Sequence, residues 1–280
     1  MKKIGFIDYY ISEWHANNYP IWIEQVCQKT GLDFKVCYAW AQKDVSEFDG
    51  RTTDEWCKEF SVERCESIAE VYEKSDYVII LAPSNPETHL ELTSEAFKYK
   101  KPTYVDKTFA PDAKTALEII NLSKKYQTPF FSTSALRYAD ELNAYKGEKK
   151  VFVKGGGSNL PEYIIHQIEM VVKTIGIGAK SVKLGALGKD TVADISYDDD
   201  RTARLCYNPE YPFVFGTKAD DSDITEHEVK SDIFLNLIQK ILVFFETGEK
   251  DFENDETLEV MKIREAVIKA QDTPNEWLVI

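Results

Sequence analysis

Moving a proton to or from a reacting hydroxyl takes an acid–base side chain held within hydrogen-bonding distance of it. Two side chains of this 280-residue sequence suit the proton's part, Lys107 and His166. A histidine titrates near pH ~6.5, and a lysine, ordinarily near ~10.4, is lowered by burial or by positive neighbours. His166 stands four residues after Glu162 and three before Glu169, so on a helix all three share one face. Asp106 immediately precedes Lys107, and His89 follows the Ala82-Pro83 turn. Plainer readings stand beside these: a surface Lys107 paired with Asp106, and a His166 hydrogen-bonded to Glu162. His89, Asp106, His166 and Glu169 include zinc-ligand types, but the spacing of an H-E-x-x-H pair is missing, and no metal site is expected. No G-x-S-x-G occurs and the five cysteines carry no partnered motif, which argues against a Ser or Cys nucleophile.

The stretch from Asp76 to Thr108 must position several of these groups. Tyr77 to Leu81 is an unbroken apolar run stopped by Ala82-Pro83, the pattern of a strand buried on both faces. Pro86 suits the first turn of a helix, along which Leu92, Ala96 and Tyr99 recur at helical spacing. Thr103 to Val105 is a second strand ending on Asp106 and Lys107. In an open parallel sheet ligands bind at the carboxyl ends of the strands, so the His89 turn and the Asp106-Lys107 pair belong on one rim.

Strands at Lys3–Ile7, Phe34–Trp40 and 129–132 alternate with helices at 21–28, Asp54–Phe60, Ser67–Glu73 and, capped by Asp112, up to Tyr126. That alternation predicts a doubly wound, Rossmann-like parallel sheet. The boundary falls near residue 135, giving domains at 1–135 and 136–280. The second half predicts a strand at Val151–Val153, a flexible glycine loop at Gly155-Gly156-Gly157, and a helix from Pro161 to Lys173. From Lys180 a largely antiparallel sheet follows, with a turn at Asp198-Asp199-Asp200. The very apolar helix Asp232–Glu246 is expected against that sheet, followed by a last helix at Glu256–Gln271. The C-terminal helix and tail are placed to pack back on the first domain.

The Ala82-Pro83 turn leading to His89, then Asp106-Lys107-Thr108, then Glu162-x-x-x-His166, resemble in order and spacing the motifs of the glucose–fructose oxidoreductase and inositol dehydrogenase family, Gfo/Idh/MocA. The resemblance covers nearly the whole chain. It implies an NAD(P)-dependent oxidoreductase acting on a sugar, polyol or similar small polar alcohol, with Lys107 polarising the reacting oxygen. It implies further that His166 exchanges the proton and Glu162 orients the site. NAD or NADP would lie along Ile7, Asp8, Tyr10, Ala82 and Pro83, with His89, Asp106 and Lys107 at the next strand end. The outward face of the second sheet would bury against another copy in a homodimer or larger homo-oligomer.

The first turn departs from that pattern. A dinucleotide unit follows its first strand with G-x-G-x-x-G, which lets the backbone approach a pyrophosphate. Here Asp8-Tyr9-Tyr10-Ile11-Ser12-Glu13-Trp14-His15 follows, and no glycine occurs between Gly5 and Gly31. Pro20 falls where the first helix should run, which predicts a late start near Asn18 or a kink. The loop reads either as an aromatic surface loop or as a rebuilt pocket wall with Tyr10, Trp14 or His15 toward a ligand. At the end of the second strand the ribose-binding acid is replaced by Ala41-Gln42-Lys43, with Asp44 one residue beyond. The competing reading is therefore a relative that keeps the fold and binds a ligand, or regulates, without a dinucleotide.

A net charge of −14 without a Lys/Arg stripe argues against nucleic acid, and no apolar run reaches the ~20 residues of a membrane span. The odd number of cysteines and the lack of a signal-like start predict free thiols and a cytoplasmic protein.

Overall fold

A computed structural model describes residues 1–218 and 224–280. The chain forms two compact units, one from residues 1–133 with 234–254, the other from residues 134–233 with 255–280.

In the first unit β1 (Lys2–Asp8), α1 (Trp14–Thr30), β2 (Phe34–Ala41), α2 (Thr53–Phe60), β3 (Glu63–Arg64), α3 (Ile68–Lys74) and β4 (Tyr77–Ile80) follow one another. Then come α4 (His89–Ala96), β5 (Thr103–Val105), α5 (Ala113–Tyr126) and β6 (Phe130–Phe131). The six strands are parallel in the order β3-β2-β1-β4-β5-β6, so the winding reverses between β1 and β4. The predicted parallel sheet is present. Register aligns Ile7 with Ile80 and Ile80 with Val105, which sets Asp8, Leu81 and Asp106 side by side at one rim.

Helix α1 corrects the expectation raised by Pro20. It begins at Trp14, six residues after β1, and runs through Pro20 to Thr30. The early start comes from Glu13, an extended N-cap whose carboxylate accepts from the N–H of His15 at 2.7 Å and from that of Ala16. Side-chain acceptance of otherwise orphaned N–H groups starts a helix firmly, and the one hydrogen bond lost at Pro20 does not end it. The preceding turn is no surface loop. Ile11, Ser12 and Glu13 are buried, Ser12 Oγ donates to Asp49 at 2.7 Å, and Ser46 Oγ donates to the Ser12 carbonyl.

The second unit opens with β7 (Lys150–Gly155) and α6 (Leu160–Ile175), then β8 (Ala179–Leu187), β9 (Asp190–Tyr197), β10 (Thr202–Tyr207), β11 (Val214–Thr217) and β12 (Thr225–Glu228). After α7 (Ile233–Thr247) the chain adds α8 (Asn254–Lys269) and β13 (Trp277–Val279). The sheet runs β12-β11-β7-β10-β9-β8-β13 and is antiparallel except where β10 lies parallel to β7. Ile164, Ile168 and Val172 of α6 are buried, as their spacing predicts.

Two expectations for this half are corrected. Most of α7 packs within the first unit, where Phe245 lies 4.8 Å from Tyr77 and Phe244 lies 5.1 Å from Phe131, ring to ring. The last helix and tail belong to the second unit, where β13 pairs with β8. The glycine run is not a loose loop either. A Cβ on Gly156 would sit 2.2 Å from the Asn208 carbonyl oxygen, and Gly157, at φ +145°, has its carbonyl held by Tyr207 Oη at 2.8 Å. Those glycines permit close backbone approach.

Candidate functional site

At the rim of the first unit, Asp8 ends β1 fully buried. Its Oδ1 accepts from Tyr9 N–H at 2.7 Å and from Ala82 N–H at 2.9 Å, while Oδ2 finds no partner. Burial, with the charge of Glu13 next, pushes the Asp8 carboxyl well above its ordinary value. Ala82 has φ +63°, a conformation sparse for alanine, and its bond to Asp8 helps hold it there. Pro83 is buried beside it, and the Ile7 carbonyl is taken by Leu81 N–H at 2.8 Å. Tyr10 is half-buried with its ring against Tyr9.

Asp106, just past β5, is completely buried and does not make the surface pair with Lys107 considered above. Its Oδ2 meets His15 Nδ1, and its Oδ1 accepts from Lys107 N–H at 2.8 Å and Tyr104 Oη at 3.3 Å. Burial alone would raise this carboxyl, but the charge and hydrogen bond of His15, with Lys107, hold it below the usual value. The Lys107 ammonium is half-buried and makes no hydrogen bond or ion pair with any described residue. The Lys107–Thr108 peptide is cis. His89 lies deeper than a ligand contact requires. It is wholly buried with Nδ1 3.0 Å from the Phe109 carbonyl and Nε2 2.5 Å from that of Leu81, a brace between two strand-end turns. Burial holds its pKa down against both carbonyls.

In the second unit, His166 projects half-buried from α6 with Nδ1 2.6 Å from Ser134 Oγ. Ser134 is positioned in turn. Its N–H donates to Glu169 Oε1 at 3.2 Å, and Glu169 pairs with Arg137 at 3.2 Å, which also pairs with Glu256. Glu169 is thus a buried structural acid. Glu162 sits in the first turn of α6, its N–H donating to Asn159 Oδ1 and its carboxylate accepting from Asn159 Nδ2 at 3.0 Å. Sequence reasoning singled out His166 and passed over Ser134, because 32 residues separate them. Similarly, the pairing of His15 with Asp106 spans 91 residues. No group of three or more His, Cys, Asp or Glu among the described residues is arranged to hold a metal ion.

The β1–α1 turn does not fit a dinucleotide's diphosphate. The N–H groups that would cradle it are taken by Glu13, a fixed anion already in place, and Asp8 takes the Ala82 N–H. Asp44, the acid nearest the ribose position, pairs with Arg64 at 2.9 Å, while Lys43 pairs with Glu47 at 2.6 Å.

A six-stranded doubly wound sheet followed by a mixed sheet with a covering helix is the two-part α/β fold that the sequence resemblance implies, and solved structures named as dehydrogenases share it. The chain is similar over 100% of its length, and 98% of the other's, to apo scyllo-inositol dehydrogenase from Lactobacillus casei, with TM-score 0.76 and 13% identity. It is similar over 96% of its length, and 97% of the other's, to UDP-N-acetylglucosamine 3-dehydrogenase from Acidithiobacillus ferrooxidans, with TM-score 0.75 and 12% identity. Dehydrogenase MviM from Clostridium difficile matches with TM-score 0.72 at 13% identity, covering 96% of this chain and 99% of that one. No family model and no curated protein matches the sequence. At these identities the likeness establishes the fold. No helix among the described residues is long and apolar enough to cross a membrane, and the five cysteines form no disulfide.

Proposed function

We propose that the protein is an oxidoreductase acting on a sugar, polyol or similar small polar alcohol. The observation that carries this reading is Lys107, half-buried at the strand-end rim beside Asp106, its ammonium making no hydrogen bond or ion pair with a described residue. An ammonium whose hydrogen bonds are not taken up by the protein is available to polarise a ligand oxygen. Its role is to polarise the reacting oxygen. His166, held through Nδ1 by Ser134, exchanges the proton. The solved structures of like fold include dehydrogenases named for scyllo-inositol and UDP-N-acetylglucosamine, which supports a sugar-like substrate. The acceptor that the resemblance implies is NAD or NADP. Because Glu13 and Asp8 occupy the cradle, its binding is expected to be weak, with Kd about 0.1 mM or higher, roughly −5.5 kcal/mol or less favourable.

One observation favours a second reading, a polar-ligand-binding relative without dinucleotide: the Glu13 carboxylate already caps α1. Calorimetric titration with NAD⁺, NADP⁺ and their reduced forms, together with a turnover assay on a panel of polyols, decides between them. Polyol-dependent reduction of either cofactor supports the enzyme. Absence of both binding and turnover at millimolar cofactor, with the fold intact, selects the second reading.

The proposal extends to a homodimer through the face of the second sheet away from α6, where Phe152, Val192 and Trp277 retain exposure. Arg204 and Lys183 on that face are already matched by Asp194 and Trp277.

A further inference from the structure

Within the first unit, the His15–Asp106 pair has no part in the reading above. An ionised carboxylate only accepts, so Asp106 holds a proton on His15 Nδ1 and leaves Nε2 out of the pair. His15 is 6% exposed, its Nε2 has no hydrogen-bond partner among the described residues, and that atom is not sealed from solvent. The ring is gripped on one side by Tyr19, stacked at 5.2 Å and 11°. Trp14 and Phe234 approach it at 5.2 and 6.0 Å between ring centres, and Trp22 stacks on Phe234 at 4.8 Å. Trp14 is 45% exposed at the start of α1.

We propose that His15 Nε2, oriented by Asp106 and walled by Trp14, Trp22 and Phe234, is a binding site for a neutral polyhydroxyl ligand, a sugar or polyol. Aromatic faces take the C–H face of such a ligand, and a single placed ring nitrogen hydrogen-bonds one of its hydroxyls. An anionic ligand is the wrong class, since the nearest helix N-terminus is filled by Glu13 and Asp8 is buried at the adjoining strand end. The choice of a polyol rests on the proposed function, whereas the vacancy at Nε2 does not.

The test uses the full chain labelled with ¹⁵N-histidine, titrated with myo-inositol, glucose and N-acetylglucosamine while tryptophan emission is followed. The resonance followed is that of His15 Nε2. At least one of the three ligands should move that resonance and change the emission, both responses being lost in Trp14→Ala, a change at an exposed side chain. A resonance unmoved by all three overturns the site. Binding at His15 without any turnover strikes only at the oxidoreductase reading. Turnover with His15 unmoved strikes only at this site.

Discussion

Three acids crowd the rim of the first unit, and their surroundings send them different ways. Asp106 has His15 and hydroxyl donors and stays below its usual pKa, so its stabilising contribution is present above the ordinary carboxylate range and disappears as pH falls through its folded value. Asp8 has two N–H donors and an unpaired oxygen, and burial followed by the charge of Glu13 raises it. A raised carboxyl binds its proton more tightly folded than unfolded, so Asp8 favours the fold less as pH climbs from about 4 through its folded value. Asp8→Asn removes that slope. Relative to wild type it should gain urea resistance as pH rises above about 4, and parallel profiles for the two proteins would refute the account. At the reactive groups, Lys107→Met should abolish turnover with the fold intact, because it removes a charge and little volume. His166→Ala should slow turnover by about 10²-fold, the usual scale for a general acid–base. Near-normal rates in both variants would remove these residues from the chemistry.

At the scale of elements, close contacts set by single residues govern the local shape. Glu13 begins α1 early and so brings His15 and Tyr19 onto its buried face, with Trp14 exposed at its start. The glycine run joining β7 to α6 works in the same way, through what it leaves out. Gly156 faces the carbonyl oxygens of Asn208 and Pro209 at 2.2 and 2.6 Å from where a Cβ would lie, and both are backbone atoms that cannot swing aside. Gly156→Ala should therefore cost about 1–3 kcal/mol through overpacking. A denaturation midpoint unchanged from wild type would mean that the turn is as loose as its composition suggests.

For the whole molecule, the first unit is assembled from two separated chain segments. Phe245 is buried against Tyr77 and Phe34, and Phe244 against Phe131, so residues 234–254 complete a core begun far upstream. Phe245→Ala should destabilise that unit by about 3–5 kcal/mol, measured as hydrogen-exchange protection lost in β1 and β4. Loss confined to the second unit would contradict the segment's placement. The proposed dimer is checked by light scattering at micromolar concentration. Particles of only 32.1 kDa, the mass of one chain, would count against it.

Periodicity was enough for the local elements. Alternating apolar runs and helical stripes predict β1, β2, β4, β5, α5 and α6 to within a few residues, since burying backbone and apolar side chains leaves such sequences few other options. The rim was legible too, because parallel strands of a doubly wound sheet end on one side. What sequence could not show is which distant groups meet. Nothing near Asp106 in the chain announces His15, and nothing in α7 says which apolar surface will cover its phenylalanines, because hydrophobic burial is non-directional. Glu13 reads in sequence as an acid beside a missing glycine motif. Only the fold shows it already seated on the helix N–H groups a diphosphate would need. Local propensity thus determined the elements and the edge they share. The pairings that decide the chemistry came from tertiary packing, which alone brings residues 91 positions apart within hydrogen-bonding reach.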